Sequence, residues 1–298
     1  MTILGIDLGT TNSLCAVFEH GKPVLIPNAH GRFLTPSVVA RLPDGQILVG
    51  DSARQWRVTH PELSASRFKR LMGTQETLPL GNQSFTAPEL SSFVLRSLKA
   101  DAETHLKRSV SQVVITVPAY FNDMQRKATR LAGELAGLEV VRVINEPTAA
   151  ALTYGFHDRD LRKKLMVIDL GGGTFDVTIM EVFDRMLEII STAGESMLGG
   201  EDFTDRMAAN VLQKHGKQLE WVELKHPLQL ARLKQRCEEA KLQFLHQDSA
   251  QVALPREDGE IPADAPVTVI ERSEFDTWMQ PLLKRLLMPI ERAVRDAN

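Results

Sequence analysis

The sequence has little of what usually classifies a chain at sight. Its two cysteines, Cys15 and Cys237, are far apart and lack metal-ligand spacing, which argues against a disulfide framework and a thiolate metal site. The eight histidines are scattered, none with an i, i+4 partner, so a helical zinc motif is excluded. Nowhere do eighteen apolar residues run together, which leaves no candidate membrane span. A formal net charge of -3, with 24% charged and 43% hydrophobic residues, suggests neither disorder nor an electrostatic grip on nucleic acid. No Gly-x-x-x-x-Gly-Lys-Ser/Thr loop occurs, and neither Asp7-Leu8-Gly9 nor Asp169-Leu170-Gly171 opens a helix as a dinucleotide fingerprint must. Met1-Thr2 leads into a strand without the layout of a signal peptide, and with so few cysteines the expected location is cytoplasmic.

What is present is a repeated acidic turn. From Leu165 to Val182 an apolar run ends in Asp169, Gly171-Gly172-Gly173 follow, and Val177 and Ile179 alternate with an outward Thr178; the pattern predicts strand, tight turn, strand. A carboxylate ending a buried strand requires a positive or hydrogen-bonding partner, and consecutive glycines bare backbone N–H groups that can wrap an anion. Asp169 and Asp176 would then face a metal-bound phosphate; an ordinary hairpin with capping aspartates is the alternative. The same order of features, Ile6-Asp7-Leu8-Gly9-Thr10-Thr11-Asn12, opens the chain. Two copies at this separation point to two like-folded lobes holding one phosphate ligand between them.

Between the copies, short β pieces surround Val24–Ile26, Ser37–Ala40 and Ile47–Val49, and helices are expected over Asp51–Val58 and Ser64–Gly73. Lys69 lies among basic residues that could equally form a solvated face. Pro88–Leu106 has helical periodicity, Val113–Val117 is a buried strand, and Met124–Ala136 is a helix capped at Asn122-Asp123 and closed by Gly137. The strand Val140–Ile144 leads into a helix, ended by Gly155, whose first turn holds Glu146, a carboxylate that simple capping would also explain. Phe156–Lys164 is the expected boundary between lobes. Further on come a strand at Leu187–Thr192, helices at Glu201–His215 and Leu228–Phe244, turn-rich β material from Gln251 to Val269, and a last helix disturbed at Pro281 and Pro289. Glu238 and Lys241, three apart on one helix face, could be a plain surface ion pair. A doubly wound second lobe should return more strands after such a helix, so it is expected to be truncated at its C-terminus.

Taken together, Ile6–Ser13, Val117–Asp123, Ile144–Ala151, Asp169–Asp176 and Leu198–Phe203 resemble the nucleotide-binding domain of the DnaK-type heat-shock chaperones. The short stretch between Lys69 and Pro118 and the phrase Ala87–Ser92 are most similar to the HscC branch. The resemblance implies an α/β, actin-like ATPase fold of two lobes, each with a five-stranded core sheet flanked by helices and an outer subdomain. Lobe I would span 1–160 (core 1–36 and 112–160, outer part about 37–111), and lobe II 161–298 (core 161–200 and 281–298, outer part about 201–280). It further implies ATP or ADP with Mg2+ in the cleft. Asp7, Glu146 and Asp169 would hold the hydrated magnesium, while Thr10, Thr11 and the backbone of Gly172 and Gly173 cradle phosphates. Thr174 would touch the γ-phosphate and Lys69 position the attacking water. Gly9, Asn12, Gly171, Gly199 and Gly200 complete the nucleotide-binding set, Glu238 and Lys241 match ribose-binding residues, and Asp176 would orient the phosphate loop or a monovalent cation such as K+.

The same resemblance implies a monomer that works with a J-domain co-chaperone, near Arg142 and Asn145, and that reports its nucleotide state through Pro118 and Arg126. Unfolded client peptides would be held by a domain that this sequence does not contain. Leu242 stands where the family usually has an adenine-stacking arginine, and the family's Gly-Gly-Ser-Thr-Arg adenosine loop is expected beyond Asn298. An actin-like filament protein and a sugar or acetate kinase are the alternative functions for paired turns of this kind.

Overall fold

The computed structural model describes residues 2–154, 163–183 and 186–298. In chain order the elements of the N-terminal half are β1 (Ile3–Asp7), β2 (Asn12–Glu19), β3 (Lys22–Leu25), β4 (Thr35–Pro36), β5 (Val38–Arg41), β6 (Ile47–Val49), α1 (Asp51–Thr59), β7 (Ser64–Ser66), β8 (Thr77–Leu80), β9 (Gln83–Thr86), α2 (Ala87–Leu106), β10 (Gln112–Val117), α3 (Asp123–Leu135), β11 (Glu139–Asn145) and α4 (Glu146–Tyr154). The main sheet runs β11-β10-β1-β2-β3, with β4 beside β2. β10 pairs in parallel with both β1 and β11, whereas β1, β2 and β3 form an antiparallel meander. Crossovers through α2 and α3 produce the parallel pairs, as connections between parallel strands require. Capping boxes start both helices, Thr86 with Glu89 and Asn122 with Gln125, each satisfying N–H groups that the first turn leaves without partners.

The second half comprises β12 (Lys163–Leu170), β13 (Phe175–Phe183), β14 (Met186–Glu195), α5 (Gly200–Lys214), α6 (Leu219–Lys225), α7 (Pro227–Gln243), β15 (Ser249–Ala253), β16 (Val267–Glu271) and α8 (Arg272–Asp296). Its main sheet is the antiparallel β12-β13-β14. One apolar core, from Leu4 to Val140, lies under the first sheet and α2. Another joins α5, α6 and α7 to the β15–β16 hairpin and the start of α8, and a small third lies between β13, β14 and the end of α8.

Several expectations need correction. Ser64–Gly73 is not one helix: β7 pairs with β5, Arg67 takes a left-handed backbone (φ 59°), and Phe68–Leu71 make a single 3-10 turn. Thr178 does not face outward. It is buried at the centre of β13, with its hydroxyl 3.2 Å from that of Thr192, because β13 is flanked by strands on both sides and covered on both faces. The second main sheet has three strands among the described residues, against the five that the resemblance implies. Pro281 and Pro289 lie inside an α8 that is helical throughout. Gly155 and most of the Phe156–Lys164 boundary lie outside the described residues.

Candidate functional site

Both acidic turns are hairpins, and their tips meet. In the first, Gly9 permits the reversal, since a Cβ there would lie 2.0 Å from the Asn12 carbonyl oxygen. Ser37 pins this turn: its hydroxyl donates to the Gly9 carbonyl at 2.7 Å and its N–H to that of Thr11 at 2.8 Å. In the second, the Gly171 N–H donates to the Thr174 carbonyl at 3.0 Å, and the start of α5 closes on the turn through Gly200 N–H to Gly171 and Glu201 N–H to Gly172. A Cβ on Gly172 would fall 1.9 Å from Thr11 Oγ1, one on Gly173 2.3 Å from Thr10 Cγ2, and one on Gly199 2.4 Å from Gly173 N. Glycine at these places is therefore a condition of close approach. Thr10, Thr11, Gly172, Gly173, Gly199 and Gly200 thus come together from three segments. Asn12 opens β2 from an exposed position, and Thr174 is half-buried at the end of its turn.

Behind the tips lies a group of charges. Lys69 is 4% exposed and donates from Nζ to Glu146 Oε1 at 2.8 Å. Its ammonium also sits 5.7 Å from the centre of the Phe121 ring. Asp7 ends β1 and accepts from Thr116 Oγ1 at 2.7 Å. Burial raises the proton affinity of Glu146; Asp7 and Asp169 add to the rise, and Lys69 opposes it. Asp169 is likewise raised by burial and then by Asp7, against the pull of Lys69. These couplings put Asp7, Lys69, Glu146 and Asp169 in one neighbourhood although they come from four separate segments. Asp176, the register partner of Asp169 across β12 and β13, is pushed up to about 8 by burial, then by Glu146 and Asp169. Its Oδ1 is buried without a partner, as are Thr10 Oγ1 and the Tyr120 hydroxyl. Gly194 makes room for this pair, because a Cβ there would stand 2.7 Å from Asp176 Oδ1 and 2.6 Å from Tyr120 Cδ1.

The charge run around Lys69 is therefore not a solvated face. Arg70 donates from Nε to the Gly173 carbonyl at 2.9 Å and pairs with Asp202, and Arg67 reaches Glu201 and Asp205. Glu238 and Lys241 do form an ion pair, 2.6 Å apart, but Lys241 also donates to the Gly200 carbonyl at 2.8 Å, which sets it beside the second turn. Arg126 joins three positions, donating to Asn145 Oδ1 at 2.8 Å and to the carbonyls of Phe121 and Ala119.

Reading the chain alone misses Thr116, Tyr120, Ser37, Glu201, Asp202 and Arg67 as parts of this site. Glu201 and Asp202 lie within the recognised Leu198–Phe203 stretch and Tyr120 within Val117–Asp123; Thr116, Ser37 and Arg67 carry no local signal, because their partners are distant in sequence.

A mixed α/β chain whose two aspartate hairpins meet tip to tip, with a lysine–glutamate pair behind them, has the layout of the actin-like ATPases. A family model described as Hsp70 protein matches residues 3–80 and 75–298. The chain belongs to the Hsp70 family and carries its nucleotide-binding domain. Hsp70 proteins are chaperones that bind ATP or ADP with Mg2+, hydrolyse ATP, and work with J-domain co-chaperones on client peptides. Among the described residues no helix is long and apolar enough to cross a membrane.

Proposed function

We propose that this chain binds ATP with Mg2+ between the two aspartate turns and hydrolyses it as the motor of a chaperone, with its lobes dividing near residue 160. One observation carries the reading: a buried Lys69–Glu146 pair sits in the field of Asp7 and Asp169, behind the tips of two glycine-bearing turns. Three carboxylates opposed by one lysine form a site short of positive charge, and Thr10 Oγ1 is buried with its hydrogen-bonding capacity unused. Those residues fit a hydrated cation together with a polyanion.

Asp7, Glu146 and Asp169 would hold the magnesium through its waters; among the described residues no three such side chains converge as a direct ligand set. When bound, the ion supplies charge neutralisation at the triphosphate. Thr10, Thr11, Thr174 and the backbone N–H groups of the second turn orient the phosphates. Lys69 places positive charge beside the transferring phosphoryl group and is itself held by Glu146. Such a reaction needs positioning and electrostatics rather than a covalent intermediate. Lys241 and Glu238 serve the ribose, Leu242 lines a base pocket without a stacking arginine, and Asp176 is the candidate ligand of a monovalent cation such as K+. The link from Arg126 to Asn145 supports a path from the cleft to a J-domain partner, and the Ala87–Ser92 phrase supports the HscC branch.

Calorimetric titration with ATP and Mg2+, followed by phosphate-release assays on the unaltered chain and on Lys69→Ala, tests the reading. Binding with turnover in the first, and binding without turnover in the second, is the expected pattern. Equal turnover in both would remove Lys69 from the mechanism.

A further inference from the structure

The outer part of the first half holds a cavity of about 480 Å3, none of whose lining residues belongs to the site described above. Its back is the short strand β7, Ser64–Ser66, and its walls are Pro61, Leu78 and Pro79. The walls are fixed in place. Gly81, at the tip of the β8–β9 hairpin, donates its N–H to the Glu62 carbonyl at 3.2 Å, and Asn82 beside it accepts from Arg41 at 3.0 Å. A Cβ on Gly81 would stand 2.9 Å from Leu63 Cδ2, so the hairpin leans on the 3-10 turn Pro61–Leu63 as closely as glycine allows. A preformed, mainly apolar recess of this size suits a small ligand or a short piece of chain.

The strand at the back of the recess has an open edge. Among the described residues β7 pairs with β5 alone, Val39 standing opposite Ala65. Gly50 donates its N–H to the Val38 carbonyl, which turns the peptide groups of Val38 toward β6 and, by antiparallel alternation, those of Val39 toward Ala65. The Ser66 N–H and the carbonyls of Ser64 and Ser66 therefore point away from β5, and no described residue takes up any of the three. The Ser64 N–H, directed to the same side, donates to the Pro61 carbonyl, which puts a wall of the cavity on this edge. β8 does not close it: that strand pairs with β9, and Pro79 has no N–H to give. Glu62 is the only charged residue that lines the cavity, and its side chain is exposed. Arg57 reaches the Ser66 hydroxyl from α1 without lining the recess itself.

We propose that the β7 edge and this cavity form a binding site for an extended polypeptide segment, which adds to β7 as a strand, seats a large apolar side chain between Pro61 and Pro79, and sets a lysine or arginine beside Glu62. The outward backbone groups supply the attachment; the recess and the carboxylate supply the selection, as in other strand additions to a sheet edge. The site does not depend on the nucleotide-binding reading above.

Backbone amide NMR spectra of the isotope-labelled, unaltered chain are followed during titration with the probe acetyl-Lys-Thr-Phe-Thr-Lys-amide. The amides of Ser66, Leu78 and Gly81, which lie around the recess, should shift together at probe concentrations up to about 1 mM, the weak end of peptide recognition. Two further probes, methylated on the phenylalanine nitrogen or on that of the threonine before it, separate strand addition from simple burial of the ring. Alternate nitrogens face the sheet, so one methylation should abolish binding and the other change it by less than about twofold; equal effects of the two overturn strand addition. Exchanging both lysines of the probe for glutamate should weaken binding about threefold to fivefold, as for an exposed ion pair. Glu62→Gln should remove that preference, and its persistence there takes the selection away from Glu62. Ser64→Leu should fill the recess and abolish the shifts. Ser64 also donates to the His60 carbonyl at 3.0 Å, so the thermal midpoint of this variant is measured, and should it not fold, the methylated probes on the unaltered chain decide. Shifts that survive in folded Ser64→Leu overturn the site, as does the absence of shifts at these amides at about 1 mM probe.

Discussion

In the first acidic turn Asp7 ends a strand paired on both edges, with β2 and β10, and accepts from the neutral hydroxyl of Thr116. In the second, Asp169 is the penultimate residue of β12, whose partner among the described residues is β13, and stands opposite a second carboxylate, Asp176. The two stretches share a local pattern, yet one gives its aspartate a donor and the other gives it a rival charge. A strand–turn–strand motif can thus deliver a carboxylate to a cleft, but how readily Asp169 takes a proton is set by burial first and then by Asp7 of the opposite turn, against the pull of Lys69.

Removing the group that serves both turns should have the largest effect. Lys69→Ala leaves Glu146 buried without its cation, and phosphate release should fall roughly 100-fold or more while calorimetry still detects bound nucleotide. A difference between the tips themselves comes next. Gly172→Ala puts a methyl group against Thr11 of the opposing turn, so ATP affinity should weaken about tenfold with little change in the thermal midpoint, because only the approach of the tips is obstructed. Gly9→Ala instead collides with the Asn12 carbonyl in its own hairpin and should lower the midpoint itself.

The effect of pH follows from the second turn. A carboxyl that holds its proton more tightly folded than unfolded makes the folded chain bind more protons between about pH 4 and about pH 8. Stability should therefore decline as pH rises through that window, with Glu146 and Asp169 acting in the same direction. Asp176→Asn should flatten the decline in urea titrations at stepped pH, whereas an unchanged slope would place the proton elsewhere. Smallest is Thr116→Val, which removes one hydrogen bond from Asp7 at a cost of about 1–2 kcal/mol, read as a shift in the denaturation midpoint.

The regular elements were largely legible. Helical periodicity locates α2, the Asn122-Asp123 cap and Gly137 bound α3, and apolar runs locate β1, β10, β12 and β13. Failure set in where local pattern and long-range contact disagree. Phe68 and Leu71 have helical spacing, but Arg67 is drawn to α5 and turns the backbone left-handed, which leaves a strand and a 3-10 turn. Thr178 alternates like a surface residue and is buried, because β13 is the middle strand. Of the site, the aspartates, the glycines and Glu146 could be picked out by residue type and position. Lys69 stands out from its basic neighbours only through the family resemblance, because its partner Glu146 is 77 residues away.

Helix α8 links the two cores of the second half. Met279 and Leu282 belong to the core under α5 and α7, Ala293 to the one under β13 and β14, and Leu286 packs on both. The helix therefore works as a shared axle: a tilt imposed at its outer end must reappear beneath the strands that carry Asp176. Pro281 and Pro289 each remove one rung from its ladder of hydrogen bonds, so the axle should bend most easily on either side of Leu286.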